Sequence, residues 1–189
     1  DLGTALDVVD VERAGKVAGS RFFYLKGAAV LLDMALVNFA LEEMSRKDYT
    51  LVEPPYVMRK KPYEGVVALG DFEDVLYKIE NEDLYMIATS EHPLVAMRMD
   101  EIIDEDELPI RYVGISTNFR KEIGSKGVDT KGLFRMHQFN KVEQVIFCKP
   151  EDSWAMHEEL IGNAEALFQE LGIPYRVVNC CTGDIGTVA

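Results

Sequence analysis

The chain is short of the residues that staple, ligate or anchor. Its 189 residues include three cysteines, three histidines and one tryptophan. Cys148, Cys180 and Cys181 are odd in number and two of them are adjacent, which makes a poor disulfide framework. No CxxC or HxxxH spacing occurs, so a Cys/His metal site lacks its usual ligands and none is expected. The thiols are expected to be reduced, as in a cytoplasmic protein. No stretch approaches the roughly 18 consecutive apolar residues of a membrane-spanning helix, and the opening DLGTALDVVD has no signal-peptide pattern. No membrane association is expected. Neither GxxxxGK[ST] nor GxGxxG is present, which removes the phosphate cradles of parallel sheets. Positive charge is scarce: 20 Lys and Arg face 33 Asp and Glu, for a net charge of −13. That balance excludes a broad, non-specific nucleic-acid surface.

What remains is the composition of a globular domain, 48% hydrophobic and 28% charged, long enough to bury a core. Gly27 to Lys47 reads as a helix, with Val30, Met34, Val37, Leu41 and Met44 at helical spacing. Asp48 to Val57 reads as extended, because Pro54 and Pro55 stop a helix. Pro62 to Asp83 reads as loop with short elements, Asp83 to Thr89 as a strand, and Ser90 to Ile103 as a helix capped by Ser90 with Pro93 in its first turn. Ile110 to Phe119 and Phe134 to Cys148 read as the arms of a long hairpin. Pro150 to Leu171 carries a stripe of Met156, Leu160, Ala164, Leu167 and Leu171, and Gly172 can end that helix. Tyr175 to Cys181 reads as a last strand. The expected class is α+β, a mainly antiparallel sheet flanked by helices.

The scarce cations gather in one place. Between Phe119 and Gln144, Arg120, Lys121, Lys126, Lys131, Arg135 and Lys141 outnumber Glu122, Asp129 and Glu143. Strand periodicity sets Asn118, Arg120 and Glu122 on one face of the first arm, and Arg135, His137, Phe139, Lys141 and Glu143 on one face of the second. Phe134, Met136, Val142 and Ile146 form the opposite, core-facing set. Arginine forks onto phosphate oxygens, a phenyl ring stacks on a base, and a carboxylate accepts from an amine. Together they describe a nucleotide site carried on a sheet. His137 reads as a hydrogen-bonded structural histidine.

FRKE (Phe119 to Glu122), a variable loop and then FRMHQFNKVEQ (Phe134 to Gln144) resemble motif 2 of class II aminoacyl-tRNA synthetases, and of seryl-tRNA synthetases in particular. GSRFFYLKG (Gly19 to Gly27), DYTLVEPPY with Pro55 at the motif 1 proline, TSE (Thr89 to Glu91) and TGDIG (Thr182 to Gly186) resemble that family in the same order. The resemblance implies ATP-dependent activation of L-serine to seryl-adenylate and transfer to tRNA(Ser), with Mg²⁺ assisting through ligands outside this chain. Arg120 would hold the α-phosphate and the serine carboxylate, Glu122 the adenine amino group and Arg135 the terminal phosphates. Phe139 would stack on adenine, with Lys121 and Met136 bordering the nucleotide. Thr89, Ser90, Glu91 and Glu143 would frame the serine. Motif 1, including Pro55, implies a homodimer interface. No GxGxR-like third motif follows Gly186 and no helical arm for tRNA precedes the domain, so residues 1–189 are expected to be the front part of the catalytic domain. Two alternatives are a related ligase that charges a carrier protein, and a catalytically silent dimerisation or regulatory module.

Overall fold

The computed structural model describes residues 2–68, 73–123, 132–183 and 185. The hairpin tip with Lys126, Asp129 and Lys131, and also Asp184 and Gly186, lie outside the described residues. The chain opens with α1 (Leu2–Ala5), β1 (Val9–Asp10), α2 (Val11–Val17) and β2 (Tyr24–Leu25), β1 and β2 pairing antiparallel. The long helix α3 (Ala28–Arg46) follows, then β3 (Thr50–Val52), β4 (Val57–Met58) and α4 (Lys60–Glu64). After β5 (Tyr85–Met86) and α5 (Glu91–Ala96) come the two long strands β6 (Ile110–Phe119) and β7 (Gln138–Phe147), and finally α6 (Ser153–Glu170).

The central sheet has the order β3-β6-β7. β6 and β7 pair antiparallel over their full length, from Ile110 opposite Phe147 to Phe119 opposite Gln138, while β3 runs parallel to β6. Directly opposed residues share a face. One face carries Val113, Val142 and Ile146 into a core with Met44 and Tyr49, closed by Leu41 of α3 and by Leu160 and Leu167 of α6. Polar ties lock this layer: Glu159 accepts from Arg111 Nε (2.8 Å) and from Tyr49 OH (2.9 Å), and Asn163 Nδ2 donates to Gln144 (2.8 Å). A second core, built on Met58, Tyr63, Leu76, Tyr85, Ile87 and Ala88, supports β4 and β5.

α5 lies against the other face, next to Gly114. A methyl group at Gly114 would come within 2.7 Å of Leu94 Cδ1 and 2.9 Å of Ser90 Oγ. The glycine is what lets helix and strand approach so closely.

Several expectations need correction. The helix read as Ser90 to Ile103 ends at Ala96, and Ser90 makes no side-chain cap bond. β7 starts at Gln138 instead of Phe134, and Phe134, placed in the core by periodicity, is 86% exposed. Periodicity holds only while the chain stays extended, and the hairpin's strand pairing stops before that point. Residues 175–181 form no strand. On α3 only the C-terminal half of the stripe is covered; Val30 and Met34 are exposed.

Candidate functional site

Both arms of the hairpin run on past the strands. The Arg120 N–H donates to the His137 carbonyl at 2.9 Å, and His137 Nδ1 donates back to the Arg120 carbonyl at 2.8 Å. His137 also packs on Phe22, with ring centroids 5.2 Å apart. It is thus a structural tie, as its sequence context suggests. At Glu122 the backbone turns to φ +48°, leaving extended geometry, and its carbonyl accepts from Arg21 Nη1 at 3.0 Å. The turn swings the Glu122 carboxylate to within 3.6 Å of Arg135 Nη1 on the other arm.

These moves bring the nucleotide-site candidates together. Arg120, Glu122, Arg135, Met136 and Phe139 line one cavity of about 260 Å³, joined by Phe23. The Arg120 guanidinium lies 5.3 Å from the Phe139 ring centroid, within cation–π range. Its Nε donates to the Ala88 carbonyl at 3.0 Å, so the terminal Nη groups are left to fork onto oxyanions. Lys121 points elsewhere: its Nζ sits 6.0 Å from the Tyr77 ring centroid, and it is absent from this cavity's lining. A larger cavity of about 680 Å³ lies against the N-terminal segment, but Arg21 is the one charged side chain among its described lining residues. That lining is poorly matched to a polyanion.

The serine-site candidates gather next to Ala88. Thr89 Oγ1 donates to Glu143 Oε2 at 3.3 Å, and the Glu91 N–H donates to Thr89 Oγ1 at 3.2 Å. Lys141 Nζ makes an ion pair with Glu143. Glu91 keeps solvent exposure in the open cleft, yet the surrounding protein, and after it the Glu143 carboxylate, push its pKa up. A ligand ammonium would relieve that repulsion, since a cation between two carboxylates favours their charged forms. Ser90, between Thr89 and Glu91 in the chain, is fully buried and packs on Gly114.

The Arg120–Ala88 bond joins the two halves. One side of the arginine meets the nucleotide cavity, and the other is anchored to the strand that leads into Thr89. Sequence reasoning missed Arg21, Phe23 and Lys141 as parts of the site. Lys141 had a signal, the shared strand face with Glu143. Arg21 had none, because its partner Glu122 lies 101 residues away.

Several known proteins are similar to this chain. The model of the tRNA synthetase class II core domain (G, H, P, S and T) matches residues 75–189. The chain is 63% identical over 180 residues to a serine–tRNA ligase from Methanocella arvoryzae, covering 95% of this chain and 42% of that protein. It is 57% identical over 189 residues to one from Thermococcus onnurineus, covering 100% and 41%. The crystal structure of seryl-tRNA synthetase from Pyrococcus horikoshii complexed with ATP superposes with a TM-score of 0.96 at 57% identity, over 100% of this chain and 42% of that one. The cytoplasmic serine–tRNA ligase of Naegleria fowleri, in complex with AMP, superposes with a TM-score of 0.91 at 44% identity, over 96% and 43%. The chain therefore spans about two fifths of the length of these relatives.

Proposed function

We propose, from the premise that this chain belongs to the class II tRNA synthetase core-domain family, that it supplies the nucleotide and serine sites of an enzyme activating L-serine with ATP and charging tRNA(Ser). Residues 1–189 correspond in this reading to the front part of the catalytic domain. The observation that carries it is Arg120, shared between the phosphate-suited cavity and the Thr89–Glu91–Glu143 cluster. It is supported by the ATP- and AMP-bound relatives with which the chain superposes.

In the proposed reaction a serine carboxylate oxygen attacks the α-phosphorus of ATP. The bond to the bridging oxygen breaks, pyrophosphate leaves with that electron pair, and seryl-adenylate forms. The nucleophile is already an anion, so no catalytic base is required. Two anions must approach, and Arg120 lies where it can hold both, lowering their repulsion and orienting the attack. Arg135 exchanges its Glu122 partner for the terminal phosphates, and Glu122 accepts from the adenine amino group. Phe139 stacks on the base, and Met136 borders it. Glu91 and Glu143 take the serine ammonium, and Glu143 with Thr89 pairs with the hydroxyl. Mg²⁺, when bound, neutralises phosphate charge. Its ligands are proposed to lie outside this chain. In a second step the tRNA terminal hydroxyl attacks the seryl carbonyl and AMP leaves.

The parent enzyme should show ATP–pyrophosphate exchange with serine in preference to threonine, alanine and glycine. A pocket that pairs with a hydroxyl rejects alanine and glycine, which lack it, because its own polar groups would be left unpaired. Equal exchange with glycine would sink the seryl reading and favour a carrier-protein ligase. Absence of exchange with any amino acid would favour the silent module.

The same reading gives a homodimer. Leu31, Leu32 and Met34 on α3 are 69%, 61% and 56% exposed, and Leu51 on β3 is 47% exposed. Pro55 is exposed on the same motif 1 segment. Apolar surface of this kind fits a two-fold interface, which buries one patch twice. Sedimentation of the parent should give a dimer mass, and a monomer at micromolar concentration contradicts the interface. No described helix is long and apolar enough to cross a membrane. A cytoplasmic location belongs to the reading, as in the relative named cytoplasmic.

A further inference from the structure

Tyr63 is completely buried, and its hydroxyl meets two groups that flank the Thr89–Glu91 loop. On the near side the Ala88 N–H donates to Tyr63 Oη at 3.3 Å. On the far side His92 Nδ1 lies 3.1 Å from the same oxygen. Residues 88 and 92 are the two ends of the segment that presents Thr89 and Glu91. The carbonyl of the same Ala88 accepts Arg120 Nε at 3.0 Å.

The ring itself is fixed by packing. It meets His92 edge-on with centroids 5.1 Å apart, and Tyr85 edge-on at 6.0 Å. Neither Tyr63 nor His92 lines the cavity that holds Arg120 and Phe139. Their reach to the ligands runs through the loop they hold.

From this geometry we infer that Tyr63 and His92 are positioning residues: one buried hydroxyl pins both ends of the Thr89–Glu91 loop and, through the Ala88 peptide, sets the place of Arg120. The inference rests on the proposed serine-activating role of that loop.

Tyr63 Oη accepts from the Ala88 N–H, and in the tautomer that leaves His92 Nδ1 unprotonated the phenol donates its own proton to that nitrogen. Burial, the largest effect, with the Lys141 and Arg120 charges behind it, pushes His92 down to about 4. The imidazole is therefore neutral at physiological pH and can accept. Burial raises Tyr63 to about 12, so the phenol keeps the proton it donates. A hydrogen bond between buried groups is worth more than its exposed counterpart, and leaving either partner unpaired is costly.

Tyr63→Phe in the parent enzyme removes the oxygen and keeps the ring. It should raise the serine KM and lower kcat in pyrophosphate exchange, together about tenfold in kcat/KM, while the melting temperature moves by a few degrees at most. His92→Phe should reproduce the loss, and the double variant should be no worse than either single one, because both break one unit. His92→Asn, whose amide oxygen can replace Nδ1 as acceptor, should restore most of the activity. Wild-type serine kinetics in Tyr63→Phe would overturn the inference. So would a loss that appears only in melting temperature, or equal losses in His92→Asn and His92→Phe. A wild-type parent without serine-dependent exchange would instead overturn the functional reading, and this inference with it. The two failures are therefore distinguishable.

Discussion

Arg120→Ala in the parent enzyme should lower serine-dependent pyrophosphate exchange by about 10²–10³, the size of a lost transition-state contact. The arginine is where the two halves of the site meet. Nε is bound to the Ala88 carbonyl, the guanidinium lies over Phe139, and the cavity with Glu122 and Arg135 opens beside it. The anchoring bond uses Nε, and in the proposed reaction the terminal Nη groups hold the two oxyanions. Arg120→Lys keeps the charge and loses that geometry, so it should recover little. The fold should survive both changes, because Arg120 belongs to neither hydrophobic core. Lys16→Ala is the matched control. Lys16 carries the same charge on α2 and is well exposed, with a 3.5 Å ion pair to Glu12. Equal losses in the two variants would mean that Arg120 acts through the protein's overall positive charge and not as part of a shaped site.

Gly114→Ala should destabilise the parent by about 1–3 kcal/mol, the usual cost of overpacking, and should raise the serine KM as well. The new methyl meets Leu94 and Ser90 at 2.7–3.0 Å, and one of them must move. Both belong to the Thr89–Leu94 stretch, so displacement there shifts Thr89 against Glu143, which faces it from β7 directly opposite Gly114. Gly162→Ala on α6 is the internal comparison. Nothing lies within 4 Å of its added methyl, and glycine in a helix costs roughly 0.5–1 kcal/mol relative to alanine, so this change should stabilise. Chemical denaturation separates the two. Equal effects of the two substitutions would show that α5 is free to move away from β6.

Much of this was legible because it rests on local signals. The stripe from Val30 to Met44 located α3 to within one residue at each end, and β6 runs from Ile110 to Phe119 as read. Gly172, with φ +65°, ends the region of α6 as its position after Leu171 implied. Motif spacing brought Arg120, Glu122, Arg135 and Phe139 to one cavity even though the face argument behind it was partly wrong. Glu122 leaves the strand and still reaches Arg135, because the hairpin turns there. What was not legible depends on distant partners. The parallel pairing of β3 with β6 joins residues about sixty positions apart, and no local periodicity encodes it. Residues 175–181 have strand-like composition, yet a strand exists only where another pairs with it, and no described residue does. Ser90 looked like a helix cap and a ligand contact. Its burial follows from Gly114, 24 positions downstream, which lets β6 come close enough to cover it.

The most direct measurement identifies the adenylate itself. The parent enzyme is incubated with ATP and an equimolar mixture of the twenty amino acids, and the enzyme-bound product is released and identified by mass. The site, with Thr89 bonded to Glu143 and to the Glu91 N–H and with Arg120 anchored on the adjoining Ala88, predicts seryl-adenylate as the dominant species. A different aminoacyl-adenylate, or none from an enzyme that binds ATP, would contradict it.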